Sequence, residues 1–113
     1  AGVIQFARIG AHAFIGGMSA LENDLIPYGM ALGNRAYLSG LNIIGLNRRG
    51  FTREQVHGLR RAYRLLFAAE GTLKERLDDV SSEFQDNPTV QEIVAFIRAN
   101  GKRSLCTPRV SDA

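Results

Sequence analysis

Small aliphatic residues recur at every sixth position in the first part of the chain. They are Val3, Ile9, Ile15 and Leu21, and a small residue follows four positions after each of the first three, at Ala7, Ala13 and Ser19. A period of six is neither the 3.6-residue period of a helix nor the alternation of a flat strand. It is typical of a solenoid in which each six-residue stretch forms one face of a triangular prism. We therefore predict a parallel β-helix whose aliphatic side chains point into the prism.

Two glycines directly follow aliphatic positions, at Gly10 and Gly16. We predict that they serve the sharp turns between faces of the prism, because glycine adopts positive φ at little cost. The alternative interpretation is a β-hairpin with an accidental six-residue spacing. The small residues four positions after the aliphatic ones argue against that alternative.

Four six-residue repeats build little more than one turn of such a solenoid. A coil buries its apolar side chains only against neighbouring coils, so about three repeats are needed for stability. In an isolated last coil, Val3, Ile9 and Ile15 would be half exposed. We therefore expect the chain to be the C-terminal portion of a longer protein.

The pattern changes after the repeats. Residues 23–40 contain a proline and several glycines, which predicts an irregular connection that leaves the solenoid. From Tyr37 onward the apolar spacing predicts a short helix that ends near residues 48–50. We assign the end of the β-helix and its exit loop to residues 1–35 and a helical domain to residues 36–113.

Three further helices are predicted from their start signals. These signals are Thr52 with Gln55, Thr72 with Glu75, and Asn87 with Pro88. The first two pairs have the spacing of a capping box, and proline fits the first turn of a helix. The predicted stops are Gly71 and Asn100–Gly101, and residues 102–113 are predicted to be a disordered or loosely docked tail. The predicted inward-facing residues are Val56, Leu59, Tyr63, Leu66, Phe67, Leu73, Leu77, Val80, Phe84, Val90, Ile93, Val94 and Ile97.

The composition fits a globular protein with an anionic partner. Of the 113 residues, 45% are hydrophobic and 22% are charged, which excludes a disordered chain. The formal net charge of +3 favours contact with anionic groups. Cys106 is the single cysteine, so no internal disulfide can form and a reducing compartment is expected. No apolar run approaches the length of a membrane span, and we expect a cytoplasmic protein.

Several segments together are similar to one enzyme family. They are Gln5–Phe6, Ile9–His12, Ile15–Gly17, Ile26–Tyr28, Gly33–Asn34 and Gly40–Phe51. In these segments the chain resembles the acyl-[acyl-carrier-protein]–UDP-N-acetylglucosamine O-acyltransferases. The most specific part is the run from Asn42 to Phe51 with the helix start that follows it. The resemblance implies the last coils of a left-handed parallel β-helix, followed by a C-terminal helical bundle.

The resemblance also implies an activity. The family transfers a 3-hydroxyacyl chain from acyl carrier protein to the 3-hydroxyl of UDP-N-acetylglucosamine, the first step of lipid A biosynthesis. A sugar hydroxyl needs a general base, and the developing oxyanion needs a fixed donor. In the family both groups lie on earlier coils, so no catalytic residue is predicted in this chain. The family's sites form between subunits, which implies a homotrimer.

Four positions match substrate-binding residues of the family: Gln5, Asn42, Arg48 and Arg49. Guanidinium groups suit phosphate oxygens, because they form bidentate, charge-assisted hydrogen bonds. The other interpretation of Arg48 and Arg49 is structural, since cations near a helix C-terminus interact favourably with the helix dipole. The family match favours phosphate binding.

Two further positions, Gly17 and Arg35, match the end of the family's acyl groove. Glycine leaves room for a longer acyl chain, whereas the larger, charged Arg35 has the opposite effect, so the acyl length stays open. The chain also departs from the family's pattern at Ile4, which is commonly histidine, and at Ile44, which is frequently acidic.

A second basic cluster consists of Arg53, Arg60, Arg61 and Arg64. On a helix these side chains are predicted to line one side. That side is either a solvated face or a docking patch for acyl carrier protein, which is strongly acidic and would be steered by opposite charge.

The remaining candidate groups predict little chemistry. His12 is predicted to lie at the surface or at a subunit interface, and Cys106 lacks a histidine partner. No metal is predicted, because His12 and His57 have no second ligand at a suitable spacing, and no cofactor is predicted. Two alternatives stay open: another hexapeptide-repeat acyltransferase, and a basic helical module that binds an acidic protein or nucleic acid. The chain lacks a helix-turn-helix signature and an aromatic stacking platform, so we predict no nucleic-acid partner.

Overall fold

The computed structural model describes residues 2–99 and 104–109. In this part of the chain, short strands come first and helices follow. The strands are β1 (Gly2–Val3), β2 (Phe14–Ile15), β3 (Ala20–Leu21), β4 (Gly29–Leu32) and β5 (Tyr37–Leu41). The helices are α1 (Ile43–Arg48), α2 (Arg53–Leu66), α3 (Leu73–Glu83) and α4 (Pro88–Arg98).

The first four strands form two stacked turns of a solenoid. β1 pairs in parallel with β3, and Gly2 lies opposite Ala20, an offset of 18 residues or three six-residue repeats. β2 pairs in parallel with β4 at an offset of 16, with Phe14 opposite Met30. A hairpin would pair neighbouring strands antiparallel. The predicted parallel β-helix is therefore confirmed.

Burial of the aliphatic side chains depends on whether another coil lies over them. Leu21 is 1% exposed, whereas Val3 and Ile9 are 46% and 47% exposed. Ile15 is partly buried and packs against the core. The predicted half exposure is therefore confirmed for Val3 and Ile9, whereas Ile15 is more buried than predicted.

Residues other than glycine occupy the left-handed turns of the first coil. Phe6 has φ +70° and His12 has φ +59°, whereas Gly10 and Gly16 do not have positive φ. The predicted role of these two glycines is therefore wrong. Gly10 lies so close to the next turn of the coil that an added Cβ would overlap the backbone of Pro27. Glycine is needed there for close approach of two backbones.

The stretch after residue 23 continues the coil instead of leaving it. β4 lies in the second turn, and β5 then returns antiparallel to β4. The helix predicted from Tyr37 is therefore wrong for residues 37–41, which form a strand. At a bulge, two residues of β4 span three residues of β5, and both Leu38 and Leu41 are buried. This three-residue spacing of buried leucines imitates a helix in the sequence.

α1 contains the rest of the predicted short helix. It begins after Asn42 and ends at Arg48, close to the predicted end. The predicted boundary between residues 35 and 36 falls in the turn that joins β4 to β5, and it stays a prediction.

The three other predicted helix starts are confirmed. Thr52 Oγ1 accepts a hydrogen bond from the N–H of Gln55 at 3.1 Å, and Gln55 Oε1 accepts one from the N–H of Thr52 at 2.7 Å. Thr72 Oγ1 accepts from the N–H of Glu75, and Asn87 caps α4 with proline in its first turn. These caps pair backbone donors that the start of a helix leaves without a partner.

α2 ends earlier than predicted. It ends at Leu66, whereas Gly71 lies in the following loop with φ +70°. The guanidinium of Arg76 donates to the carbonyls of Leu66, Glu70 and Gly71 at 2.8, 3.0 and 2.7 Å. One side chain thus pairs the last carbonyl of α2 and two carbonyls of the loop that follows it. The predicted stop at Asn100–Gly101 lies outside the described residues.

The apolar faces of the helices share one core with the coil. All the predicted inward-facing residues of α2, α3 and α4 are buried or packed against this core, together with Leu25, Leu38 and Leu46. Among the described residues, no helix combines the length and the apolar composition needed to cross a membrane.

Residues 104–107 dock onto the end of the coil. The N–H of Asp24 donates to the carbonyl of Ser104 at 2.8 Å, and the N–H of Cys106 donates to the carbonyl of Asp24 at 2.7 Å. Cys106 is fully buried. Of the two predicted states of the tail, disordered or docked, this segment is docked, because it pairs the open backbone edge of the coil. The prediction for residues 102, 103 and 110–113 falls outside the described residues.

Candidate functional site

Asn42 joins the start of α1 to a turn of the first coil. Its Oδ1 accepts a hydrogen bond from the N–H of Gly45 at 3.1 Å, and its Nδ2 donates to the carbonyl of His12 at 3.2 Å. Glycine is required at position 45, because an added Cβ would overlap the Asn42 side chain. The sequence analysis did not identify Gly45, although it lies within the segment that carries the strongest resemblance.

Arg48 and Arg49 line a cleft beside this contact. The cleft has a volume of about 420 Å³ and is lined by His12, Ala13, Asn42, Gly45, Arg48 and Arg49. Both arginines are exposed, and among the described residues neither forms an ion pair. The cleft therefore presents two positive charges to solvent and suits a phosphate or carboxylate ligand.

The position of Arg48 in the last turn of α1 also allows the dipole interpretation. That helix has six residues, so the favourable interaction of a cation with its dipole is about 0.3 kcal/mol, the low end of the usual range. The choice between an anion site and a structural role for the two arginines stays a prediction.

Tyr28 lies behind the cleft, and the sequence analysis gave it no role. Its ring centroid lies 5.5 Å from that of His12 and 5.9 Å from that of Phe51. Its hydroxyl donates to the carboxylate of Glu92 in α4 at 2.8 Å. Burial, and then this hydrogen bond, raise the pKa of Tyr28 to about 12, while the positive charge of Arg49 opposes the shift. Tyr28 is therefore neutral at physiological pH.

The other predicted site residues lie at other turns of the coil. Gln5 is in the turn after β1, whereas the cleft uses the turn at Ala11–His12. Gly17 lies at the next corner of the first coil, just before β3. Successive turns lie at different edges of the prism. One copy of the chain therefore brings together Asn42, Arg48 and Arg49, but not Gln5 or Gly17.

Gly17 and Arg35 flank the same strand. Arg35 lies in the turn between β4 and β5, where the N–H of Ala36 donates to the carbonyl of Ala20 in β3 at 3.0 Å. Arg35 is exposed, and a Cβ added at Gly17 would meet nothing within 4 Å. This edge of the coil therefore has open space outside it.

The basic cluster of α2 is split between two sides of the helix. Arg61 faces α3, and its guanidinium lies 3.1 Å from the carboxylate of Glu83. Arg53, Arg60 and Arg64 border surface grooves towards α1 and β5, and among the described residues they form no ion pair. The prediction that Arg61 shares a side with the others is wrong, because it is rotated by about 100° from Arg60 around the helix.

We call Arg53, His57, Arg60 and Arg64 the basic row. Their spacing places them on neighbouring turns along one side of α2. The grooves that they border run along α1 and β5. One of them, of about 600 Å³, is lined by Arg64 together with Tyr37, Tyr63 and Phe67. The row is therefore a positive surface with apolar groups beside it.

Cys106 is poorly suited to nucleophilic chemistry. Burial raises the pKa of its thiol to about 11, so the reactive thiolate is scarce at neutral pH. Its Sγ lies 3.4 Å from the carbonyl of Ala36. Within residues 2–99 and 104–109, no three side chains of His, Cys, Asp or Glu come together as metal ligands would.

Comparison with known proteins gives consistent matches. Residues 24–106 match the family described as UDP N-acetylglucosamine O-acyltransferase, domain 2. The acyl-[acyl-carrier-protein]–UDP-N-acetylglucosamine O-acyltransferase of Methylobacterium radiotolerans is 72% identical over 92 residues, which cover 81% of this chain and 34% of the relative. The enzyme of the same name from Bartonella henselae is 51% identical over 109 residues, which cover 96% of this chain and 40% of the relative.

Solved structures agree with these relatives. The Arabidopsis UDP-N-acetylglucosamine acyltransferase superposes with a TM-score of 0.87 at 38% identity, over 93% of this chain and 40% of that one. The Campylobacter jejuni enzyme gives a TM-score of 0.82 at 36% identity, over 95% of this chain and 41% of that one. The predicted end of a left-handed parallel β-helix, followed by helices, is thereby confirmed.

The chain spans 34% and 40% of the lengths of these two curated relatives. The family match extends from the second turn of the coil to the docked segment at Cys106, and so includes Asn42, Arg48 and Arg49. On these matches, together with the coil and the arginine cleft, the chain belongs to the UDP-N-acetylglucosamine O-acyltransferase family.

Proposed function

We propose that the protein takes part in the transfer of a 3-hydroxyacyl chain from acyl carrier protein to the 3-hydroxyl of UDP-N-acetylglucosamine, the first step of lipid A biosynthesis. The contribution of this chain is part of the sugar-nucleotide site. The single observation that carries the proposal is the cleft in which Asn42, Arg48 and Arg49 meet. Family membership supports the choice of ligand over other anions.

In this proposal, the two guanidinium groups bind the diphosphate of the nucleotide. Each charge-assisted hydrogen bond to phosphate contributes about 1.5–3 kcal/mol. Asn42 uses one amide hydrogen for the His12 carbonyl and one Oδ1 lone pair for the Gly45 N–H. The second hydrogen and the second lone pair of its amide remain for the substrate.

The chemical step needs a general base and an oxyanion donor, and we assign neither to this chain. His12 lines the cleft, but its ring packs against Tyr28. We therefore keep His12 as a surface or interface residue. We also propose a cytoplasmic location, which a free thiol at Cys106 supports.

A homotrimer would explain the separation of the predicted site residues. Gln5, Gly17 and Arg35 lie at turns away from the arginine cleft. In a threefold assembly, one edge of a prism faces a different edge of its neighbour. A site between two copies would then combine the arginine cleft of one with Gln5, or with the open edge at Gly17, of the other.

The first prediction tests nucleotide binding by isothermal titration of UDP-N-acetylglucosamine into the protein. Arg48→Ala and Arg49→Ala should each weaken binding by about tenfold or more, because each removes charge-assisted hydrogen bonds to phosphate. Arg98→Ala is the matched control, since it removes an exposed arginine elsewhere and should leave the affinity unchanged.

Two outcomes would overturn the proposal. One is nucleotide binding that is equally strong in all three variants. The other is salt-sensitive binding to duplex DNA without any binding of UDP-N-acetylglucosamine, which would favour the basic helical module instead.

A further inference from the structure

The backbone of Tyr28 connects the two walls of the arginine cleft. Its N–H donates to the carbonyl of Ala11 at 2.9 Å, and its carbonyl accepts from the N–H of Asn42 at 2.7 Å. Ala11 precedes His12 in the turn that forms one wall, and Asn42 caps the helix that forms the other. Tyr28 also has φ +64°, a left-handed conformation that a bulky side chain adopts only when its surroundings hold it there.

The side chain of Tyr28 extends the same connection to α4. The residue is buried, and its ring lies between those of His12 and Phe51. Its hydroxyl reaches the carboxylate of Glu92, which is on an exposed residue of α4. A hydrogen bond with one charged partner is short and strongly directional, so it fixes where the ring lies.

We propose that Tyr28 is a positioning residue for the arginine cleft: its hydrogen bond to Glu92 holds the ring against His12, and this fixes the spacing between the His12 turn and the start of α1. The ligand affected is the nucleoside diphosphate of the proposed function, on which this inference rests. Glu92 does not line the cleft. It acts through Tyr28 and ties the position of α4 to anion binding.

The second prediction uses Tyr28→Phe and Glu92→Gln. Tyr28→Phe keeps the ring and loses the hydroxyl, while Glu92→Gln keeps a hydrogen-bond acceptor and loses the charge. Each should lower the affinity for UDP-N-acetylglucosamine by about fivefold. Because both changes break the same hydrogen bond, the affinity of the double variant should be no lower than that of the single variant with the larger loss. The NMR signals of the His12 imidazole should shift in both variants without ligand, because the neighbouring ring moves.

Asp78→Asn is the matched control. It removes the ion pair between α3 and Arg98 of α4, at 2.8 Å, and so loosens α4 without touching Tyr28. The affinity and the His12 signals should stay as in the unaltered protein. If this control weakens binding as much as Glu92→Gln does, a general loosening of α4 explains the effect, and the positioning role is wrong.

The two proposals fail in different ways. If the unaltered protein does not bind UDP-N-acetylglucosamine, the proposed function fails, and the positioning role is then decided by the His12 signals in Tyr28→Phe. If the nucleotide binds but Tyr28→Phe leaves both the affinity and the His12 signals unchanged, only the positioning role is overturned.

Discussion

At the scale of single residues, Asp24 carries a buried charge whose stability depends on its hydrogen-bond partners. It is 2% exposed, and its carboxylate accepts hydrogen bonds from the N–H, Nε and a terminal nitrogen of Arg8 at 2.8, 2.9 and 2.8 Å. Arg8 also donates to the carbonyl of Phe96 in α4 and lies over its ring. One arginine thus neutralises a buried charge and joins the coil to the helices.

The third prediction concerns this pair. Arg8→Ala should lower the free energy of unfolding by about 3 kcal/mol, because it leaves a buried carboxylate without its counter-charge. Urea unfolding at neutral pH measures the change. Arg98→Ala removes an exposed ion pair and should cost less than about 1 kcal/mol. Equal losses in the two variants would contradict the expected difference between buried and exposed pairs.

The spacing of Arg8 and Asp24 in the sequence is itself a signal for this pair. Arg8 and Asp24 are 16 residues apart, the offset at which Ile9 pairs with Leu25 in the coil. Residues at that offset stack on successive turns. The proline and glycines of residues 23–40, which predict a connection that leaves the solenoid, hide this stacking in the sequence.

At the scale of elements, local signals were enough for the helices but not for the last strand. The caps at Thr52, Thr72 and Asn87 involve contacts within three residues, so the sequence alone predicts them. β5 depends on pairing with β4 and on a bulge, and its leucine spacing follows a helical pattern. The family resemblance predicts Asn42, Arg48 and Arg49 as site residues, but not the cleft, because its other wall comes from His12 and Ala13 in the coil.

The docked segment at residues 104–107 carries the fourth prediction. The pKa of Cys106 is raised from 9.0 to about 11 in the folded protein. Between these values the unfolded chain loses the thiol proton and the folded chain keeps it, so the free energy of unfolding falls as pH rises. In Cys106→Ala this fall should be shallower over the same range.

Urea unfolding from about pH 8 to pH 10 tests this, because the contribution of Tyr28, whose pKa is raised from 10.0 to about 12, is the same in both proteins. The part of the stability loss in Cys106→Ala that does not change with pH reflects the missing side-chain volume. Parallel pH curves for the two proteins would contradict the raised pKa.

At the scale of the whole molecule, charge is distributed unevenly around α2. The basic row lies on the side of α1 and β5, whereas a groove between α2 and α3 is lined by Glu70, Asp79 and Glu83 together with Arg76. An acidic protein is therefore attracted more strongly to the first surface than to the second. Of the two interpretations of this cluster, a solvated face or a docking patch for acyl carrier protein, the second therefore predicts docking on the basic row.

The fifth prediction follows from the split of the basic cluster. The double variant Arg60→Glu/Arg64→Glu should weaken binding of acyl carrier protein by at least about tenfold at low salt, and the difference should shrink at high salt. Arg61→Glu is the control, because Arg61 is paired with Glu83 on the other side and should matter little. Surface plasmon resonance at two ionic strengths measures both. Equal affinity of the double variant and the unaltered protein would rule out docking there.

The segment at residues 104–107 also has a consequence for the order of folding. Asp24 belongs to the coil, but the residues that pair with its backbone are made about 80 positions later. During synthesis at about 5–20 residues per second, the backbone groups of Asp24 therefore lack these hydrogen-bond partners for several seconds. Until Ser104 and Cys106 are synthesised, the nascent chain presents an unpaired backbone edge to other nascent chains on the same messenger RNA.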